Sequence, residues 1–173
     1  AVELFGDDLA PISRYVDLLA TWGVEQGLLG PREAPRLWDR HILNCAVVAP
    51  RIPVDATVAD VGSGAGLPGL VLAACLPEGQ FDLIESVGRK CDFLREAIES
   101  MYLGNATVIC ERSEEWAAGE QGREVAARPL LTRERLDEAA PRRRSGGPLR
   151  VLDLTRVIAG PVATRTLAGS LGV

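Results

Sequence analysis

The sequence predicts a doubly wound α/β fold with a mostly parallel sheet. Short apolar runs alternate with amphipathic helical stretches, the first run empties into a glycine-rich turn, and an acidic residue closes the second. Strands joined by crossover helices run parallel, so this alternation sets the class.

A pair of helices comes first. Leu9, Ile12, Val16, Leu19 and Trp22 recur at steps of three and four, with Tyr15 beside them, and form one face of an amphipathic helix. Asp8 is placed to cap it, and Pro11 suits its first turn. Gly27, Gly30 and Pro31 break the pattern. A second helix is expected over residues 34–48, presenting Leu37, Trp38, Ile42 and Cys45, with Pro50 and Pro53 ending it. Residues 57–61 then read as a buried strand and 70–76 as a helix stopped at Pro77. Residues 81–85 read as a second strand. Phe93, Leu94, Ala97, Ile98 and Met101 mark the next helix, and residues 106–110 read as a third strand.

The most informative stretch is Asp60-Val61-Gly62-Ser63-Gly64-Ala65-Gly66-Leu67-Pro68-Gly69. A strand running into GxGxG and then a helix needs glycines, because the backbone must turn sharply and approach a ligand without Cβ interference. A structural glycine turn is the plainer reading of such a motif. Glu85 adds to the functional one: it lies 19 residues past Gly66, at the tip of the second strand. A carboxylate there can accept both hydrogen bonds of a ribose diol. The GxGxG spacing differs from the dinucleotide GxGxxG and favours S-adenosyl-L-methionine, which has no pyrophosphate, over NAD.

Composition sets broad limits. With 47% hydrophobic and only 5% aromatic residues, the chain can build a core mainly from Leu, Val, Ala and Ile. No apolar run approaches the length of a membrane span and no signal peptide is present, so neither secretion nor membrane insertion is indicated. Residue 1 is alanine, which points to an excerpt or a processed product. Cys45, Cys75, Cys91 and Cys110 include no CxxC pair, and buried free thiols in a reducing cytoplasm are expected, with no metal site. The net charge of −5 conceals an asymmetry: residues 1–120 carry 9 Lys+Arg against 19 Asp+Glu, and residues 121–173 carry 10 against 5. The acidic portion offers no large basic face for nucleic acid.

Leu37-Trp38-Asp39-Arg40-His41-Ile42-Leu43-Asn44, the glycine stretch from Asp60 to Gly69, and Leu83-Ile84-Glu85-Ser86 resemble successive motifs of the RsmG (GidB) family. Arg89-Lys90 with Phe93-Leu94, and Arg112-Ser113-Glu114-Glu115, resemble its next two segments. The resemblance covers about residues 1–118, in the right order and spacing. It implies a Rossmann-like class I methyltransferase fold, S-adenosyl-L-methionine as cofactor, and N7 methylation of a guanosine in small-subunit (16S) ribosomal RNA by a cytoplasmic enzyme. Within the loop Gly62, Gly64 and Gly66, Gly62 and Leu67 would line the methionine end of the cofactor. Glu85 would hold the ribose, and Ser113 and Glu114 would lie along the adenine through backbone groups. Arg128, 14 residues after Glu114, stands where the family places an arginine; Arg123-Glu124 replaces the aspartate usual before that strand, and Pro129 follows.

Beyond this stretch the reading changes. The expected organisation is a methyltransferase domain at 1–125, truncated in its C-terminal half, a flexible linker at 126–148, and a strand-helix tail at 149–173. The tail, from Pro148-Leu149-Arg150-Val151-Leu152-Asp153-Leu154 onward, resembles the start of the family III CoA-transferases (CaiB/BaiF). A cofactor-binding remnant or fusion product without methyltransferase activity is therefore the alternative function. N7 of guanine carries a free lone pair and no proton, so no catalytic base is assigned.

His41, the only histidine, reads either as a ligand-side contact or as a helix residue bonded to a neighbour. Arg89 and Lys90 read as phosphate contacts or as a solvated pair. Trp22, Trp38 and Trp116 read as core rather than as base-stacking platforms.

Overall fold

The structure, a computed structural model, describes Phe5, residues 9–120 and Arg123. The Asp8 cap, Arg128, the 126–148 linker and the tail strand and helix lie outside the described residues.

Three parallel strands, β1 (Thr57–Val61), β2 (Gln80–Ile84) and β3 (Ala106–Ile109), lie in the order β1-β2-β3. Val61 is in register with Ile84, and Ile84 with Ile109. The residues that follow these three therefore share one edge of the sheet. The parallel α/β fold expected from the alternation is what the described chain forms.

The first helix, α1 (Leu9–Leu18), continues through a π-helical turn, Leu19–Gly23. Ile12, Tyr15, Val16 and Leu19 are buried, as the three-and-four spacing requires. The second helix is not continuous. Its span divides into a 3-10 turn (Ala34–Arg36), a π-helical turn (Trp38–Ile42) and a short helix, α2 (Leu43–Ala46). Pro35 sits in the first of these turns, where its missing N–H costs nothing. The apolar steps explain the second: Leu37 to Ile42 is a step of five, which an i→i+5 turn keeps on one side. Leu37, Ile42 and Cys45 are all buried. Pro50 does not end the segment but opens a further 3-10 turn (Ala49–Arg51); the chain becomes extended at Ile52, before Pro53.

Between the strands run α3 (Gly69–Cys75) and α4 (Gly88–Met101). Gly69 to Ala74 are all buried, matching a stretch with no polar face. The main core joins Ile12, Tyr15 and Leu19 to Leu70, Phe93 and Leu94, and α1 packs against α4. Asn105 is buried, and its side-chain amide donates to the Ala73 and Leu76 carbonyls at 3.0 Å each, fastening the end of α3 to the start of β3. After β3 the chain forms a short helix, α5 (Ser113–Ala118). No helix among the described residues is long and apolar enough to cross a membrane.

Candidate functional site

The site edge is built by the strand register. Gly62, Glu85 and Cys110 follow Val61, Ile84 and Ile109 directly, so the glycine loop, the acidic tip and the β3 exit lie side by side. The Gly62 N–H donates to the Ile84 carbonyl at 2.8 Å, and the Glu85 N–H to the Ile109 carbonyl at 3.1 Å. Gly62, Gly64 and Gly66 all have positive φ, at 75°, 60° and 95°.

The two sides of the loop differ. A Cβ on Gly64 would meet only the Gly62 carbonyl, 3.7 Å away, so that position faces open space. A Cβ on Gly66 would overlap Leu70 Cδ1 and stand 3.0 Å from Leu94 Cδ2. A Cβ on Gly69 would overlap Leu83 Cδ2 and lie 2.5 Å from Asp60 Oδ2. Gly66 and Gly69 thus permit close packing of loop, helix and strand, while Gly64 leaves room for a ligand. Leu67 is 7% exposed and belongs to the main core, so its approach to a ligand is through backbone.

Glu85 is 6% exposed. Its Oε2 accepts the Gly64 N–H and its Oε1 the Val87 N–H, both at 3.0 Å, and Lys90 Nζ stands 3.6 Å from Oε2. Lys90 is therefore partner to the acid, neither a fully solvated residue nor a free cation. Each carboxylate oxygen retains acceptor capacity beyond these bonds, so a ribose diol fits here.

Ser113 and Glu114 stand in the first turn of α5, with Ser113 Oγ 3.2 Å from Glu114 Oε2 and Arg112 3.6 Å from Oε1. Both follow the same sheet edge as Glu85, though no hydrogen bond joins them to it. Arg128 lies outside the described residues. His41 pairs with Glu33 at 3.2 Å, which is the packing reading; its Nδ1 is buried without a hydrogen bond among the described residues. Trp22 stacks near Phe93 with centroids 5.4 Å apart, Trp38 meets Phe5 at 6.2 Å, and Trp116 is buried, so all three are packing residues.

Two groups behind the loop carry weight that sequence reasoning did not assign. Tyr15, fully buried on α1, donates its hydroxyl to the Ala65 carbonyl at 2.7 Å, across 50 residues of chain. Burial holds its pKa well above the ordinary tyrosine value, so the hydroxyl keeps its proton. Tyr15→Phe is expected to cost about 1 kcal/mol of stability through that one bond and to weaken ligand binding at the loop. Urea denaturation with and without S-adenosylhomocysteine checks it, and identical values in both proteins would deny Tyr15 this role.

Asp60 closes the turn from below the loop's helix, its Oδ2 accepting the Gly69 N–H at 3.2 Å. Part of the residue reaches solvent, but desolvation of the carboxyl pushes its pKa up to about 6, against opposing hydrogen bonds from Gly69 and Ser63. A raised carboxyl pKa means that the folded state binds more protons than the unfolded chain between about pH 4 and pH 6. Stability from this group is present below pH 4 and lost as pH rises through 6. Asp60→Asn should remove that loss, adding about 2–3 kcal/mol at pH 8 relative to pH 4. Thermal melts across that range test it; a variant showing the parent's pH dependence would place the titration elsewhere.

One sequence expectation is overturned. Cys91 and Cys110 are a disulfide-bonded pair with Cα atoms 5.9 Å apart, while Cys45 is a buried free thiol whose pKa burial pushes up to about 12. In a parallel strand-helix-strand unit, the first turn of the helix and the exit of the next strand meet at one edge. That is where these two cysteines, 19 residues apart, are found.

Comparison with known proteins identifies the family of the chain. The GidB family model, described as rRNA small subunit methyltransferase G, matches residues 8–149. The match runs past residue 118, where the sequence motifs end, and includes Arg128. The ribosomal RNA small subunit methyltransferase G of Salinispora arenicola is 53% identical over 133 residues, covering 76% of this chain and 55% of that protein. The protein of that name from Frankia casuarinae is 43% identical over 177 residues, covering 99% of this chain and 67% of its own length. The one from Thermobifida fusca is 47% identical over 153 residues, covering 88% and 65%. The chain thus spans between about half and two thirds of these relatives. By the extent of the family match and these identities, the chain belongs to the GidB family of rRNA small subunit methyltransferases G.

Proposed function

We propose that this chain binds S-adenosyl-L-methionine at the loop of Gly62, Gly64, Gly66 and Leu67, and serves N7 methylation of a guanosine in 16S ribosomal RNA in the cytoplasm. The observation that carries the reading is Glu85. It is a buried carboxylate at the tip of β2, in contact with the N–H of a positive-φ glycine that faces open space. Such a group beside such a loop suits a ribose diol. Ser113 and Glu114 are assigned to the adenine side by their place in the family motif, and Arg128 to the cofactor site by its spacing from Glu114.

The bound cofactor supplies an electrophilic methyl group on sulfonium. The residues then have to orient and exclude water, since the accepting nitrogen brings its own lone pair and no proton must be removed. Gly64 leaves room, Glu85 fixes the ribose, and Tyr15 and Asp60 hold the loop's backbone. Contact with RNA phosphate falls to the basic portion after residue 120, which holds 10 of the 19 Lys+Arg.

The test is calorimetric titration with S-adenosylhomocysteine, followed by labelled methyl transfer to small ribosomal subunits. Binding with a raised melting temperature and methylation of 16S RNA is the expected result. Binding without transfer would favour the cofactor-binding remnant. No binding would remove the site.

A further inference from the structure

Two cysteines stand beside the cofactor edge, one of them within reach of Glu85. Cys91, in the first turn of α4, is fully buried, whereas Cys110, at the exit of β3, is exposed. Cys110 also lines a cleft of about 470 Å³ together with Ile109, Glu111, Glu115 and Trp116. The Cys91 sulfur lies 3.1 Å from the Glu85 carbonyl oxygen. As a thiol, Cys91 donates to that carbonyl. As half of a disulfide it has no proton to donate, and the start of α4 is tied to the exit of β3. Oxidation therefore removes the proton that a Cys91 thiol offers the Glu85 carbonyl, and the Glu85 carboxylate is the group set against Gly64.

We propose that Cys91 and Cys110 form a peroxide-sensitive dithiol whose oxidation weakens binding at the adjoining cofactor site; this rests on the cofactor reading above. The exposed Cys110 is the residue that meets peroxide, because Cys91 is fully buried. Its thiolate attacks the peroxide O–O bond, an S–O bond forms, and the departing hydroxide takes up a proton as water. The Cys91 sulfur then attacks the Cys110 sulfenic acid: the S–S bond forms, the S–O bond breaks, and a second water leaves. Two thiols are oxidised and one hydrogen peroxide is reduced to two waters. A cellular dithiol reverses the bond by exchange. The carboxylates of Glu111 and Glu115 at the cleft disfavour anionic oxidants and suit this small neutral one.

Linkage sets the scale: coupling between two sites is typically about 5- to 150-fold, and it is reciprocal. Oxidation is expected to weaken S-adenosylhomocysteine binding about ten-fold, and bound S-adenosylhomocysteine to favour the dithiol by the same factor.

The experiment uses the full chain, treated with hydrogen peroxide or with dithiothreitol. A non-reducing peptide map locates the Cys91–Cys110 linkage, and calorimetry measures S-adenosylhomocysteine affinity in each state. Cys110→Ser, at an exposed position, is treated in parallel. The expected result is weaker binding only in the oxidised parent, recovered on reduction, with the variant insensitive. Equal affinity in both states of a linked parent overturns the switch and leaves the cofactor site standing. No linkage after oxidation, or an equal peroxide effect in Cys110→Ser, also overturns it. Absence of binding in either state overturns the cofactor reading and the switch with it.

Discussion

Gly66→Val is expected to lower stability by about 3 kcal/mol, a fall of roughly 10 °C in melting temperature for a domain of this size. Two costs add. The backbone at Gly66 has φ +95°, a region that a β-branched residue hardly enters. Its Cβ would also overlap Leu70 Cδ1 and crowd Leu94 Cδ2 at 3.0 Å, both on helices that pack the main core. Gly64→Val makes the matched comparison, since its Cβ meets only the Gly62 carbonyl at 3.7 Å. That variant should lose less stability but lose ligand binding, because the side chain would project into the open side of the loop. Calorimetric melting of both proteins, each titrated with S-adenosylhomocysteine, separates the effects. Equal stability losses with equal retained binding would mean that the two faces of the loop are not distinct.

At Glu85 the expected result is a split between fold and binding. Glu85→Gln keeps the size and one carbonyl acceptor for the Gly64 or Val87 N–H, so the protein should still fold. It should bind S-adenosylmethionine about 5- to 150-fold more weakly, which is about 1–3 kcal/mol, the scale for hydrogen bonds to a charged group. Glu85→Ala leaves both N–H groups without their acceptor and should cost a further 1–3 kcal/mol or so in stability. A glutamine variant that binds as tightly as the parent would reduce Glu85 to a brace for the loop.

The strands and the glycine loop were legible in the sequence because each depends on local chemistry. A five-residue apolar run and a set of glycines state their structure within a dozen residues, and the acid at the next strand tip follows 19 residues after Gly66. Glu85 emerged this way, and its contact with Gly64 follows from the register of Val61 with Ile84. The division of residues 34–48 into separate turns was not legible. A step of five between Leu37 and Ile42 is compatible with an ordinary helix until the surrounding core dictates which side is buried. Lys90 likewise reads as a surface charge until α4 begins two residues before it and turns it toward Glu85. The pairing of Cys91 with Cys110 was hidden by a whole intervening helix. Yet once the parallel topology is accepted, the meeting of a helix's first turn with the next strand's exit was available as a signal.

The bond from Tyr15 to Ala65 bears on how this molecule could be divided. A fragment beginning near residue 50 would contain the three strands, the glycine loop and Glu85, which together form the edge of the candidate site. It would nonetheless lack the hydroxyl that holds the Ala65 carbonyl, along with the Ile12 and Leu19 side chains that share the main core with Leu70 and Phe93. The boundary of the binding unit therefore does not coincide with the boundary of the sheet. The opening helix is a part of the candidate site's architecture, delivered across 50 residues of sequence, and any minimal version of that site has to carry it along.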